Sequence, residues 1–168
     1  MSLFDRLLIA PLDATHDKAG FHCGIKTLDR YLQRQAHQDV KRRIARVFVA
    51  TPPDRPRKII GYYALSTLSI ELSQLPPELS RKLPKHPIPC ALIGRLAVCL
   101  SAQQQGVGKI LLADAVKRVL AVSDQIAIYA MIVDAVDQNA VGFYEQFGFQ
   151  HLTDERHRLF LPLRQMGK

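Results

Sequence analysis

A mixed α/β fold, with a central sheet of about six to seven strands flanked by helices, is predicted by three observations. Short apolar runs rich in β-branched and aromatic residues alternate with segments whose apolar residues recur every three or four positions. One such run, Arg95-Leu96-Ala97-Val98-Cys99-Leu100, ends in a polar turn containing Gly106 and Gly108. After it Ile110, Leu111, Leu112, Ala115, Val116 and Val119 recur at helical spacing. The chain of 168 residues is 48% hydrophobic and carries no repeat, low-complexity tract or dividing linker, so 1–168 is expected to be a single domain.

The elements follow in order. Residues 3–12 read as a first strand ending at Pro11, and 16–21 as a short helix or turn broken by Cys23-Gly24. Over 26–41, Leu28, Leu32, Ala36 and Val40 recur every four residues. Lys26, Arg30, Arg34, His37 and Lys41 follow a similar step on the opposite side, which predicts one helix with an apolar and a basic face. Residues 47–50 form a strand, 52–57 a turn and 59–72 a long strand. Residues 75–83 suit a short helix with Pro76-Pro77 in its first turn. Pro84, Pro87 and Pro89 make a rigid extended link into a strand over 91–98. A helix over 106–122, a strand over 126–133, a helix over 139–147 and strands over 149–152 and 158–163 complete the chain.

The formal net charge of +8 favours polyanionic partners. Its distribution is uneven: Lys26, Arg30, Arg34, Lys41, Arg42, Arg43 and Arg46 face only Asp29 and Asp39 over that stretch. A solvated helix face is the usual fate of such charges. Arg42, Arg43 and Arg46 continue the patch past the helix end, however, which makes Arg30, Arg34, Lys41, Arg42, Arg43 and Arg46 candidate nucleic-acid contacts. Arg81, Lys82 and Lys85, with Arg95 beyond them, form a second basic group. No apolar run approaches the roughly 20 residues of a membrane helix, and no signal peptide is visible. Cys23, Cys90 and Cys99 form no CxxC pair, which predicts reduced thiols in a cytoplasmic protein. The histidines lack metal-ligand spacing with them, so no metal site is expected.

The segment Gln103-Gln104-Gln105-Gly106-Val107-Gly108-Lys109 lies between the predicted strand and helix. Glycines there let backbone N–H groups converge on an anion at a helix N-terminus. A Walker A loop is excluded, because Ile110 follows Lys109 where Ser or Thr is needed and Gln103 stands in place of its first Gly, six residues before the Lys. A dinucleotide fingerprint is excluded by Leu111 in place of the third Gly.

With Asn139-Ala140-Val141-Gly142-Phe143-Tyr144-Glu145 about thirty residues on, this loop resembles the GCN5-related N-acetyltransferases, the GNAT family. Further stretches resemble the family's toxins of bacterial toxin–antitoxin pairs. They are Phe21-His22-Cys23-Gly24, Leu28-Asp29-Arg30-Tyr31-Leu32, Gly61-Tyr62-Tyr63-Ala64-Leu65-Ser66, Pro87-Ile88-Pro89 before Gly94-Arg95-Leu96-Ala97-Val98, and Phe160-Leu161-Pro162-Leu163. Two departures stand out: Gln104 where many relatives have Gly, and Cys99 where the toxins usually have Asp.

The resemblance implies a GNAT fold and transfer of acetyl from acetyl-CoA to the α-amine of an aminoacyl-tRNA, which blocks translation. It also implies a small ribbon-helix-helix antitoxin and a homodimer. By the same resemblance Gln103, Gln104, Gln105, Gly106, Val107, Gly108 and Lys109 would hold the pyrophosphate. Leu96, Ala97 and Val98 would align the pantetheine, and the Val98 amide would polarise the thioester carbonyl. Asn139 and Phe143 would flank the cofactor, Asn139 also capping its helix, and Tyr144 would protonate the departing thiolate.

The chemistry needs no enzyme nucleophile, only a held donor and amine, a dipole for the oxyanion and a proton for the thiolate. No general base stands out, and Glu71, Asp134 or a histidine remain candidates. An α-amine, with a pKa of about 7.7–8.0, needs one less than a lysine near 10.4 does. Two other readings fit the residues: acetylation of a protein N-terminus or small amine, and a non-catalytic nucleic-acid-binding module.

Overall fold

The computed structural model describes residues 6–153 and 157–165. Seven strands hydrogen-bond in the order β1-β2-β3-β4-β5-β7-β6. They are β1 (Leu8–Pro11), β2 (Arg46–Thr51), β3 (Gly61–Ile70), β4 (Ile88–Val98), β5 (Ala130–Asp134), β6 (Gln150–His151) and β7 (Arg158–Pro162). The β1/β2, β2/β3, β5/β7 and β6/β7 pairs are antiparallel and β4/β5 is parallel, so the sheet is mixed as the alternation predicts. The helices are α1 (Lys26–Arg30), α2 (Ala36–Lys41), α3 (Pro77–Ser80), α4 (Val107–Val122) and α5 (Gln138–Glu145). Contacts divide the chain into two units, one of residues 1–65 and 95–115 and one of residues 66–94 and 116–168.

In the first unit, adjacent tyrosines on β3 define the layers, because successive side chains of a strand point to opposite faces. Tyr62 points toward α1: its hydroxyl donates to the Leu28 carbonyl at 2.7 Å and its ring meets Phe21 edge-on at 5.5 Å. Tyr63 points toward α4, donating to Asp114 at 2.6 Å. Gly61 shares the face of Tyr63. A Cβ there would lie 2.9 Å from both the Ala97 carbonyl oxygen and Leu111, so only glycine lets β3, β4 and α4 close together.

The basic helix departs from the expected pattern. α1 and α2 are joined by a π-helical turn, Tyr31–Gln35. The extra residue in that turn rotates α2 about the helix axis by roughly 100°. Leu28, Tyr31, Leu32 and Ala36 are buried, but then Asp39 turns inward and Val40 is only half-buried. The Tyr31 hydroxyl donates to Asp39 at 2.9 Å, which satisfies the buried carboxylate.

The second unit is built on Ile70, Leu75, Ile88, Cys90, Ala130, Ile132, Leu152 and Phe160. Several expected boundaries move. β5 begins at Ala130 rather than 126, because Gln125 and Ile126 both donate backbone hydrogen bonds to the Val122 carbonyl in the turn that ends α4, leaving Ile126 66% exposed. β4 starts at Ile88, so the proline link is partly strand, with exposed Pro89 in a strand position. The expected helix over 75–83 shrinks to one turn, α3, after a 3-10 turn at Leu72–Gln74. The expected first strand shortens to β1, its first residues lying outside the described ones.

Candidate active site and basic surface

The glycine-bearing loop forms a cradle of unpaired backbone N–H groups. Among the described residues, nothing accepts a hydrogen bond from the backbone N–H groups of Gln104, Gln105, Gly106, Val107, Gly108 or Lys109. The last three open the sixteen-residue helix α4, whose first-turn amides have no intrahelical acceptor. Gln104 (φ 60°) and Gly106 (φ 88°) hold left-handed backbone, and such alternation turns successive N–H groups toward one point. Gln104 therefore occupies a conformation that favours glycine, while Gly106 has open space around its missing Cβ and is required for its dihedral alone. Gln104, Gln105, Gly106 and Lys109 are exposed, Gly108 half-buried and Val107 buried. The Gln103 side chain points elsewhere: its amide donates to the carbonyls of Cys23 at 2.8 Å and Val98 at 2.9 Å, so it braces the loop rather than facing a ligand.

β4 pairs with β5 only over Cys90–Ile93, against Ala130–Val133. Beyond Ile93 the β4 backbone has no β5 partner among the described residues, so that edge is open along Leu96, Ala97 and Val98. Cys99, the next residue, is buried, with its sulfur 3.4 Å from the Ser101 hydroxyl.

In the second unit, α5 is capped by Asp137, whose carboxylate accepts from the Ala140 N–H at 2.9 Å. The capping role expected of Asn139 is therefore corrected: the helix starts one residue earlier, and Asn139 is exposed in its first turn. Tyr144 is 3% exposed, edge-on to Phe143 at 5.2 Å and to Phe149 at 5.7 Å. Phe143 is half-buried and also meets Phe147. Among the described residues no hydrogen bond engages the Tyr144 hydroxyl. Burial, with a smaller contribution from the Asp134 charge, pushes its pKa above the usual 10.0, so the phenol stays protonated.

The carboxylates considered as bases are engaged elsewhere. Asp134 receives Arg158 in a two-point ion pair at 2.7 and 3.0 Å, and Glu71 belongs to a capping box with Gln74. Among the described residues no group of His, Cys, Asp and Glu is arranged to hold a metal ion. The three cysteines are free and buried, and burial pushes the Cys23 and Cys90 thiols up to about 11.

Arg30, Arg34, Lys41, Arg42, Arg43 and Arg46 are all exposed. Arg43 has φ 64°, at the helix end where glycine is the common occupant. A charged residue is kept there at some conformational cost. The sequence reading missed a cleft of about 980 Å³ that includes Arg34 and adds Lys18, Arg55, Arg57 and Lys58. The signal was present in Arg55-Pro56-Arg57-Lys58, read only as a turn; the fold brings it to the Asp17 loop, where the Asp17 N–H donates to Arg57 O at 2.8 Å. Among the described residues no helix is long and apolar enough to cross a membrane.

Residues 88–168 match the acetyltransferase (GNAT) domain. The chain is 34% identical over 165 residues to a probable toxin TacT of Sinorhizobium fredii (strain NBRC 101917 / NGR234), covering 93% of this chain and 91% of that one. It is 34% identical over 146 residues to a tRNA-acetylating toxin of Mycobacterium tuberculosis (strain ATCC 25618 / H37Rv), covering 86% of each. Among solved structures, it superposes on AtaT complexed with acetyl-methionyl-tRNAfMet with a TM-score of 0.88 at 30% identity, covering 96% of this chain and 97% of that one. It superposes on AtaTR bound with AcCoA with a TM-score of 0.82 at 31% identity, covering 96% of each. The chain therefore belongs to the GNAT acetyltransferases, in the branch of the tRNA-acetylating toxins.

Proposed function

We propose that this protein transfers acetyl from acetyl-CoA to the α-amine of an aminoacyl-tRNA and acts as the toxin of a toxin–antitoxin pair. The observation that carries the reading is the construction of an anion cradle and a basic surface on one unit. The two are tied together where Leu100 N–H donates to His22 O at 2.9 Å and Gln103 to Cys23 O. The similarity to AtaT, solved with an acetylated tRNA, and to AtaTR, solved with AcCoA, supports both halves.

Acetyl-CoA supplies an activated thioester. The six unpaired N–H groups from Gln104 to Lys109 fit its pyrophosphate. The open edge of β4 at Leu96, Ala97 and Val98 fits strand-like pairing with the pantetheine amides. The Val98 N–H would stabilise negative charge on the carbonyl oxygen as the amine attacks. By the family resemblance, Tyr144 would give its phenolic proton to the sulfur as the C–S bond breaks, and the acylated amine would lose its extra proton to water. By the same resemblance, Asn139 and Phe143 would flank the cofactor. Water suffices as the base for an α-amine, which is at least about half unprotonated near pH 8.

By the family resemblance, the protein would work in the cytoplasm as a homodimer, neutralised by a ribbon-helix-helix antitoxin; an AtaT mutant solved with the C-terminus of the antitoxin AtaR supports an antitoxin partner. Labelled acetyl-CoA incubated with charged tRNA, uncharged tRNA and an N-terminal peptide tests the reading. Label on charged tRNA alone is the expected result. Label on the peptide alone overturns it in favour of a protein acceptor.

A further inference from the structure

Arg95 lies on β4, just before Leu96-Ala97-Val98. Its guanidinium carbon sits 3.8 Å from the centroid of the Tyr31 ring. Tyr31 is itself pinned, by its hydroxyl on buried Asp39 and by its ring stacked at 6.4 Å on Tyr62. Among the described residues, no carboxylate or carbonyl accepts a hydrogen bond from Arg95. A half-buried guanidinium with five donors and no acceptor is uncommon, since such groups are ordinarily paired. Contact with the ring face holds the guanidinium carbon in place and leaves its N–H groups, which radiate in the guanidinium plane, free to form a fork that matches two oxygens of a phosphate.

We propose that Arg95 grips a backbone phosphate at the single-stranded 3′ end of the acceptor tRNA; this rests on the tRNA reading above. Arg95 faces Tyr31 and the basic helix, whereas the anion cradle belongs to α4 on the opposite face, the face of Gly61 and Tyr63. The cofactor pyrophosphate held at α4 is therefore not the anion it meets. Three residue steps of extended strand separate Arg95 from Val98, about 10 Å. A phosphate within its reach belongs to the nucleotides next to the esterified amino acid. The π-helical turn at Tyr31–Gln35 serves this arrangement by bringing Asp39 under the Tyr31 hydroxyl.

The test compares wild type, Arg95→Gln and Arg95→Lys on aminoacyl-tRNA and on aminoacyl-adenosine, which carries the amine without phosphate. Arg95→Gln should raise KM for aminoacyl-tRNA roughly tenfold to a hundredfold, as expected for lost charge-assisted hydrogen bonds. It should flatten the log–log salt slope by roughly 0.7, with acetyl-CoA affinity retained. Removing the phosphates should collapse most of the KM difference. Arg95→Lys should restore the slope but only part of the affinity, having the charge without the fork. Unchanged KM and slope overturn the proposal, as does an equal penalty on aminoacyl-adenosine, which marks a packing role. A matching loss of acetyl-CoA affinity also overturns it, assigning the anion to the cofactor. Wild type that acetylates aminoacyl-adenosine or a peptide but not aminoacyl-tRNA refutes the functional reading itself.

Discussion

The side-chain amide of Gln103 donates to the carbonyl of Val98 at 2.9 Å and, with the same nitrogen, to Cys23 at 2.8 Å. One side chain thus locks the cradle to the strand end whose amide is assigned to the thioester carbonyl. Gln103→Ala should lower stability by only about 1 kcal/mol, the usual net value of such hydrogen bonds. It should weaken acetyl-CoA binding more than that loss suggests, by loosening the register of six amides. Thermal melts with and without acetyl-CoA separate the two, and a ligand-induced shift equal to wild type would falsify the bracing role.

Gln104 sits at φ 60° and is exposed. Replacing it with Gly removes a left-handed penalty of about 1–2 kcal/mol, against roughly 0.5–1 kcal/mol of added unfolded-chain entropy. A net gain of about 0.5–1 kcal/mol in urea denaturation is expected. Gly106→Asp does the reverse at φ 88° and sets a carboxylate among the amides, so calorimetry should find no acetyl-CoA binding in the folded variant.

Tyr144→Phe keeps the ring between Phe143 and Phe149 and deletes a hydroxyl that no described residue bonds. Stability and acetyl-CoA affinity should therefore change little, while turnover falls by roughly 10²–10⁴. A folded Phe variant with near-normal turnover would assign Tyr144 to packing alone.

Arg42→Glu combined with Arg43→Glu leaves the cradle untouched. Acetyl-CoA affinity should hold, whereas tRNA acetylation weakens, with the salt slope flattened by roughly 0.9 for each duplex phosphate the protein no longer neutralises. Identical slopes for variant and wild type remove this surface from the tRNA site.

Alkaline stability depends on the buried groups. Burial raises the Cys23 and Cys90 thiols from 9.0 to about 11, and raises the phenols of Tyr31, Tyr62 and Tyr144 above 10.0. The folded state favours each neutral form, so this stability is fully present below the unfolded pKa values. It declines as pH rises past about 9, when the unfolded chain loses thiol protons first and then phenol protons. Unfolding free energy should be level to about pH 9 and fall beyond it. Tyr62→Phe should fall less steeply above pH 10, although at neutral pH it loses about 1 kcal/mol with its bond to Leu28 O. A flat profile to pH 11 would contradict the burial of these groups.

The strand–cradle–helix unit was legible in the sequence because its determinants are local. Glycine tolerance, an apolar period of 3.6 and a helix N-terminus all lie within residues 95–122. The basic face of residues 26–46 was legible for the same reason, and it is exposed throughout. The boundaries at Ala130 and Ile88 were not, because strand ends depend on which backbone partner is available, as at Cys90–Ile93 against Ala130–Val133. Nor was the π-helical turn, where Asp39 displaces Val40 from the interior. A regular four-residue step argued against it, and only the Tyr31 hydroxyl, placed by stacking on Tyr62, gives the carboxylate a reason to be buried. Gln103 as a brace and Arg95 as a cation held on Tyr31 belong to the same class. Their partners, Cys23 and Tyr31, lie about sixty to eighty residues away, and only tertiary packing brings such groups within hydrogen-bonding or stacking distance.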